Sequence, residues 1–224
     1  VCSSDLTYHN RFNSWDFIRG QESDPWKAMV QPPLEKFKEK FHNSQLNLEN
    51  REKGHYRHAV NCEFIKEEKD FPSVKCFESG LEFLEINKDV DNWFLQLETF
   101  DPHEPFFAPE RFREKLKTNY RGPRLDWPQY DKVKETDDEV AELKANYIAL
   151  VGLCDYLLGT ILDYFDEHKL WDDTALILTT DHGFMLGEHD WWAKGGMPMY
   201  NEIAHIPLFI HHPDFKKYAG EARN

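Results

Sequence analysis

An α/β domain is what this sequence predicts, and three observations predict it. Two apolar runs of strand length, Ala175–Leu178 and Ile206–Ile210, are rich in Leu and Ile. A long helical stripe precedes them: Val140, Leu143, Tyr147, Leu150, Val151, Cys154, Leu157, Leu158, Ile161, Leu162 and Phe165, behind a Thr136–Glu139 capping box. Asn92–Thr99 (NWFLQLET) reads as a further strand, so the order is strand, long loop, long helix, strand, loop, strand, the pattern of a sheet with crossover helices. At 224 residues and 40% hydrophobic content, the chain can bury one substantial core.

In chain order, Val1 to Leu6 (VCSSDL) looks like the translation of a sequencing-adapter end, which sets it apart from the fold of residues 7–224. Thr7–Pro25 is aromatic and polar without a period and reads as loop. Within it, Arg19 offers a planar fork to an anionic group or a surface ion pair to Glu22. Residues 34–70 are dense in charge and read as solvated helix faces. Ser73–Leu84 repeats Val74, Phe77, Leu81 and Leu84 at helical spacing and should pack on the sheet.

Phe100 to Phe106 (FDPHEPF) then puts His103 just past the end of the Asn92–Thr99 strand, between two prolines. A lone loop histidine is usually solvated, so position alone does not make it functional. Ala108–Tyr130 reads as a long loop whose Lys115, Lys117, Arg121 and Arg124 form either a cleft rim for an anion or scattered surface bases. Asp181 and His182 end the Ala175–Leu178 strand, and Gly183 lets the chain turn away. Ligand sites in α/β sheets gather at such carboxyl ends, so the pair is placed for a metal or an anion, although a capped turn with a solvated histidine has the same sequence.

The net charge of −14 argues against nucleic acid or an anionic membrane as partner, and a small anionic substrate would need a local positive pocket. No apolar run approaches the roughly 18 residues of a membrane span. Four cysteines without C-x-x-C spacing point to neither a zinc site nor a disulfide framework, and Cys154 sits in the core stripe.

Asp181-His182-Gly183 does not stand alone. Leu186-Gly187-Glu188-His189, Trp192-Ala193-Lys194, Tyr200-Asn201-Glu202 and Ile206-Pro207-Leu208 follow at tight spacing, and Pro102-His103-Glu104-Pro105-Phe106 precedes them. This run resembles the formylglycine-dependent sulfatase family of the alkaline-phosphatase superfamily, clearly from Asn92 to Pro213 and more weakly around Trp15–Glu22. The resemblance implies an alkaline-phosphatase-like domain with a mixed, mostly parallel sheet flanked by helices, of which residues 7–224 would be an incomplete part. It implies a sulfuric ester hydrolase acting on a small-molecule or glycan sulfate. Asp181 and His182 match metal ligands, usually for calcium; Lys194 matches the lysine on the sulfate, His103 the histidine beside the ester oxygen, and Arg19 lies near the substrate cleft.

The family's nucleophile is a formylglycine made from a C/S-x-P/A-x-R signature. Cys2-Ser3-Ser4-Asp5-Leu6 departs from that signature at Ser4 and Leu6, so the nucleophile is expected outside this chain, and residues 1–224 alone are expected to be inactive. By the resemblance, the hydrated aldehyde attacks sulfur with the metal's help, His103 aids expulsion of the alcohol, and sulfate is released. A phosphonate monoester or phosphodiester hydrolase of the same superfamily, or a non-catalytic binder of sulfated glycans, would share the same run.

Overall fold

The computed structural model describes residues 11–46, 55–218 and 220; the adapter-like residues 1–6 lie outside them. Helix α1 spans Leu34–Lys40, α2 His55–Cys62 and α3 Pro72–Ile86, the last with Pro72 in its first turn, where its missing N–H costs nothing. Helix α4 is a single turn, Glu110–Arg113, within the loop expected over 108–130. Helix α5, Asp137–His168, is the backbone of the molecule. The predicted capping box starts it, Thr136 accepting from Glu139 N and Glu139 reaching back to Thr136 N, and Lys169 ends it in the left-handed region at φ 58°.

Leu143, Leu150, Leu157, Ile161 and Phe165 of the stripe read from the sequence are buried, whereas Val151 is exposed and Leu153, outside that stripe, is buried. Leu150, Leu153 and Leu157 join Ile65, Phe71, Val74 and Phe106 in one cluster, while Ile161 and Phe165 meet Leu84 of α3 in another. Against the expectation that no stretch approaches a membrane span, α5 is long and apolar enough to cross one, by length and composition. Its packing against α3 makes it the core helix of this fold. Cys154 is only half-buried, since it flanks the stripe's midline.

Two of the three expected strands, Ala175–Leu178 and Ile206–Ile210, form close to their expected positions, while their pairing differs. Strand β1 is Leu176–Thr179, β2 Met185–Leu186, β3 Trp192–Ala193 and β4 Leu208–His211, with the short helix α6, Asn201–Ala204, before β4. Among the described residues there are two antiparallel two-stranded ladders, β1–β4 and β2–β3, in place of a mostly parallel sheet. The β1–β4 register pairs Ile177 with Ile210 and Leu178 with Phe209, and these side chains are exposed. Asn92–Thr99, expected as a strand, forms no ladder among the described residues.

The charge-dense region also departs from expectation. Helix α2 buries Tyr56, His58, Ala59, Val60, Asn61 and Cys62 rather than presenting a solvated face. Several of its polar groups meet distant segments, while Asn61 Oδ1 has no hydrogen-bond partner. His58 Nε2 lies 3.3 Å from Asp126 Oδ2, Gln45 Nε2 donates to Asp126 Oδ1 at 2.7 Å, and Asn61 Nδ2 donates to the Asp24 carbonyl at 2.9 Å. Burial works against charge on His58, but Cys62 and Asp126 outweigh it and push His58 up to about 10; burial likewise opposes charge on Asp126, but His58 and its other partners hold it below its ordinary value.

A raised histidine stabilises the fold fully below its unfolded value near 6.5 and loses that contribution as pH rises toward about 10. Replacing His58 with Ala leaves Asp126 buried with weaker compensation. Urea unfolding near neutral pH should show a loss of about 3 kcal/mol, and the decline in stability between pH 6.5 and 10 should flatten.

Candidate active site

Strand β1 runs directly into Asp181 and His182. Gly183 then packs so closely on α6 that a Cβ there would lie 1.8 Å from the Glu202 carbonyl oxygen, and its N–H donates to Ile203 O at 2.9 Å. A side chain at this position would push α6 away from the site. The β2–β3 hairpin, pinned by buried Met185, Trp192 and Ala193, delivers Lys194 from one side, with Trp192 Nε1 donating to Glu135 at 2.7 Å. The loop after Thr99 delivers His103 from the other, its peptide bonds before Pro102 and Pro105 both cis.

These segments bring four of the five sequence candidates together. His103 Nδ1 lies 2.6 Å from the Glu104 carbonyl oxygen, which fixes it as the N–H donor and leaves Nε2 to accept from the Lys194 ammonium in a short contact. The His103 and His182 rings are 6.5 Å apart, and Phe100 packs at 4.1 Å on the other side of His103. Burial, aided by Lys194 and His182, lowers His103 to about 4, so its imidazole is neutral at physiological pH.

The fifth candidate is placed differently. Arg19 gives its fork to Asp24, with Nη2–Oδ1 at 2.6 Å and Nε–Oδ2 at 2.8 Å, rather than to Glu22 or an open cleft. Glu22 lies instead within the field of Lys194. Burial raises its carboxyl despite the opposing pull of Lys194 and His58.

Two contributors escaped the sequence reading. Glu104 is fully buried; its Oε1 accepts a short hydrogen bond from the Tyr130 hydroxyl, and its Oε2 stands 3.2 Å from His103 Nδ1 and 3.6 Å from Lys194 Nζ. Burial raises Glu104 to about 7, with Lys194 pulling the other way. Its one sequence signal is a carboxylate between the His and Pro of the PHEP motif. Tyr130, from a distant loop, carried none.

The Asp181–His182 pair suits a cation. His182 Nδ1 lies 2.8 Å from the Gly183 carbonyl oxygen, so that nitrogen carries the proton and Nε2 keeps its lone pair, 3.7 Å from Asp181 Oδ2. Burial disfavours the Asp181 anion, but His182 and the nearby backbone N–H groups hold it below the ordinary carboxylate range. Among the described residues no cluster of three or more His, Cys, Asp or Glu side chains forms a complete metal site. His189, nearby, pairs with Glu202 at 3.2 Å and stacks on Tyr200 at 3.9 Å.

With this geometry in place, comparison with known proteins decides the family. Residues 25–222 match the sulfatase family. The chain belongs to it.

The chain is 29% identical over 183 residues to the multifunctional alkaline phosphatase superfamily protein PehA of Trinickia caryophylli, covering 68% of this chain and 35% of that protein. It is 24% identical over 161 residues to an arylsulfatase of Clostridium perfringens, covering 66% and 33%. Among solved structures, it resembles the phosphonate monoester hydrolase of Silicibacter pomeroyi with a TM-score of 0.53 and 25% identity, over 66% of this chain and 34% of that one. The chain thus spans about a third of the length of these relatives. The α/β reading of the sequence holds at the level of fold class.

The site fixes a testable protonation state. In ¹⁵N NMR, His103 should remain neutral and Nδ1-protonated at pH 6, titrating only near 4. Replacing Lys194 with Met removes a neighbouring positive charge and should move that titration upward. A wild-type imidazole that titrates near its ordinary value would contradict the geometry.

Proposed function

We propose that this chain carries the leaving-group and anion-binding half of a sulfuric ester hydrolase acting on a small-molecule or glycan sulfate. The observation that supports the reading best is the convergence of Lys194, His103 and buried Glu104 beside the Asp181–His182 pair. Asp181 and His182 would hold a divalent cation, calcium by family resemblance, with further ligands from outside the described residues. When bound, such a cation offsets negative charge on the ester oxygens, while the formylglycine expected outside this chain supplies the attack on sulfur.

The chain's own residues have separable tasks. The Lys194 ammonium is a compact charge suited to sulfate oxygens, held by Glu104 so that it is aimed before substrate arrives. His103 rests neutral because burial and Lys194 suppress its proton. A sulfate seated against Lys194 cancels part of that field and raises the affinity of His103 for a proton, which Nε2 can then hold against the departing alcohol oxygen. Phe100 packs against His103 at 4.1 Å and the Phe184 ring lies 5.9 Å from Lys194 Nζ, giving the pair an apolar flank.

A second reading has its own support. The likeness to a phosphonate monoester hydrolase favours a phosphoryl ester as substrate, since an ammonium and a neutral imidazole serve either tetrahedral anion.

Turnover of 4-nitrophenyl sulfate and of a phenylphosphonate monoester by the whole protein tests both. The sulfatase reading expects preference for the sulfate, a loss of about 10²–10³-fold in kcat for Lys194→Ala, and about 10²–10⁴-fold for His103→Ala. Preference for the phosphonate would establish the second reading. Residues 1–224 alone should turn over neither ester.

A further inference from the structure

A cavity of about 460 Å³ lies away from His103 and Lys194, between α2, the start of α3 and the loop that carries Phe107. Its floor is apolar, formed by Ile65, Phe71 and Phe107, with Cys62 opening onto it. Its rim is basic although the chain as a whole carries −14. Lys40 and Lys66 line it and share the carboxylate of Glu63, which lies outside the lining, at 2.7 and 3.6 Å, and Arg124 adds a further positive charge. Of the acids that line the cavity, Glu68 is already neutralised by Arg111, and Glu110 offsets part of this positive charge.

Arg124 is the group at this cavity best arranged to meet a ligand. Its guanidinium stacks at 4.3 Å from the Phe107 ring and 5.4 Å from Phe41, which fixes its plane. Its polar contacts are loose: Nη1 lies 3.6 Å from Cys62 Sγ, and Nε lies 4.0 Å from Asp126, a carboxylate already bonded to Gln45 and paired with His58. A fixed fork with spare donors, over an aromatic floor in a cavity within the size range of small-molecule sites, is a receptor for a planar anion.

We propose that this cavity binds an organic anion, a carboxylate or sulfate on a planar apolar body, with the anionic group on Arg124 and Lys66 and the body between Phe71, Phe107 and Ile65. The proposal is independent of the sulfatase reading, because none of its residues belongs to the catalytic constellation.

The test is calorimetric titration of the 224-residue chain with 2-naphthoate and with its neutral counterpart, 2-naphthalenemethanol. The naphthoate should bind saturably, at least about tenfold more tightly than the alcohol. Arg124→Gln should weaken it by a similar factor, and the exposed Lys66→Gln, which leaves the core untouched, by about threefold. No binding of naphthoate to the folded chain at millimolar concentration, equal affinity for the alcohol, or unchanged affinity in both variants would overturn the proposal.

Discussion

The carboxylate of Glu104 has no exposed surface, and its polar neighbours come from three parts of the chain: Tyr130, His103 and, at 3.6 Å, Lys194. Removing a carboxylate from water costs several kcal/mol unless opposite charge and hydrogen bonds compensate it. Tyr130 supplies one bond to Oε1, while Oε2 has no hydrogen bond of good geometry and relies on the nearby ammonium. The loop after Thr99, the end of β3 and the segment around Tyr130 are thereby tied to one another. Loss of Lys194 would leave the buried carboxyl without its charged neighbour, and loss of Tyr130 would remove its hydrogen bond, so the site and the local fold depend on the same contacts.

That constraint explains the electrostatic character of the site. Burial, aided by the neighbouring Lys194 ammonium, suppresses protonation of His103. Under the proposed function an arriving anion would compete with Glu104 for the same ammonium, and Glu104, raised to about 7 by burial, would then take up a proton. The Asp181–His182 pair lies just beyond, held by the close approach of Gly183 to α6.

Much of this was legible in the sequence, and the illegible part has a common cause. The ends of β1 and β4 and the capping box of α5 are local features written in spacing and turn chemistry, while His103, Asp181, His182 and Lys194 stand out through the family resemblance of the run that holds them. Partnerships across the chain are not. Glu104 meets Tyr130 26 residues away and His58 meets Asp126 68 residues away, so α2, read as a solvated face, is buried through contacts that local charge density cannot reveal. Arg19 pairs with Asp24 rather than Glu22, whose backbone is left-handed at φ 43°. Periodicity located β1 and β4 but not their mutual antiparallel register, since runs apolar on both faces read as the buried strands of a parallel sheet.

The most direct test of the account follows the His103 imidazole by ¹⁵N NMR while sulfate is added to the chain. If Lys194 is the anion-binding charge that holds His103 neutral, sulfate will shift the imidazole resonances saturably and raise the pH at which it titrates from about 4. The Lys194→Met chain will show no such response. A His103 that ignores sulfate, or responds equally in the variant, would mean that the buried constellation around Glu104 is structural and that anion recognition lies elsewhere.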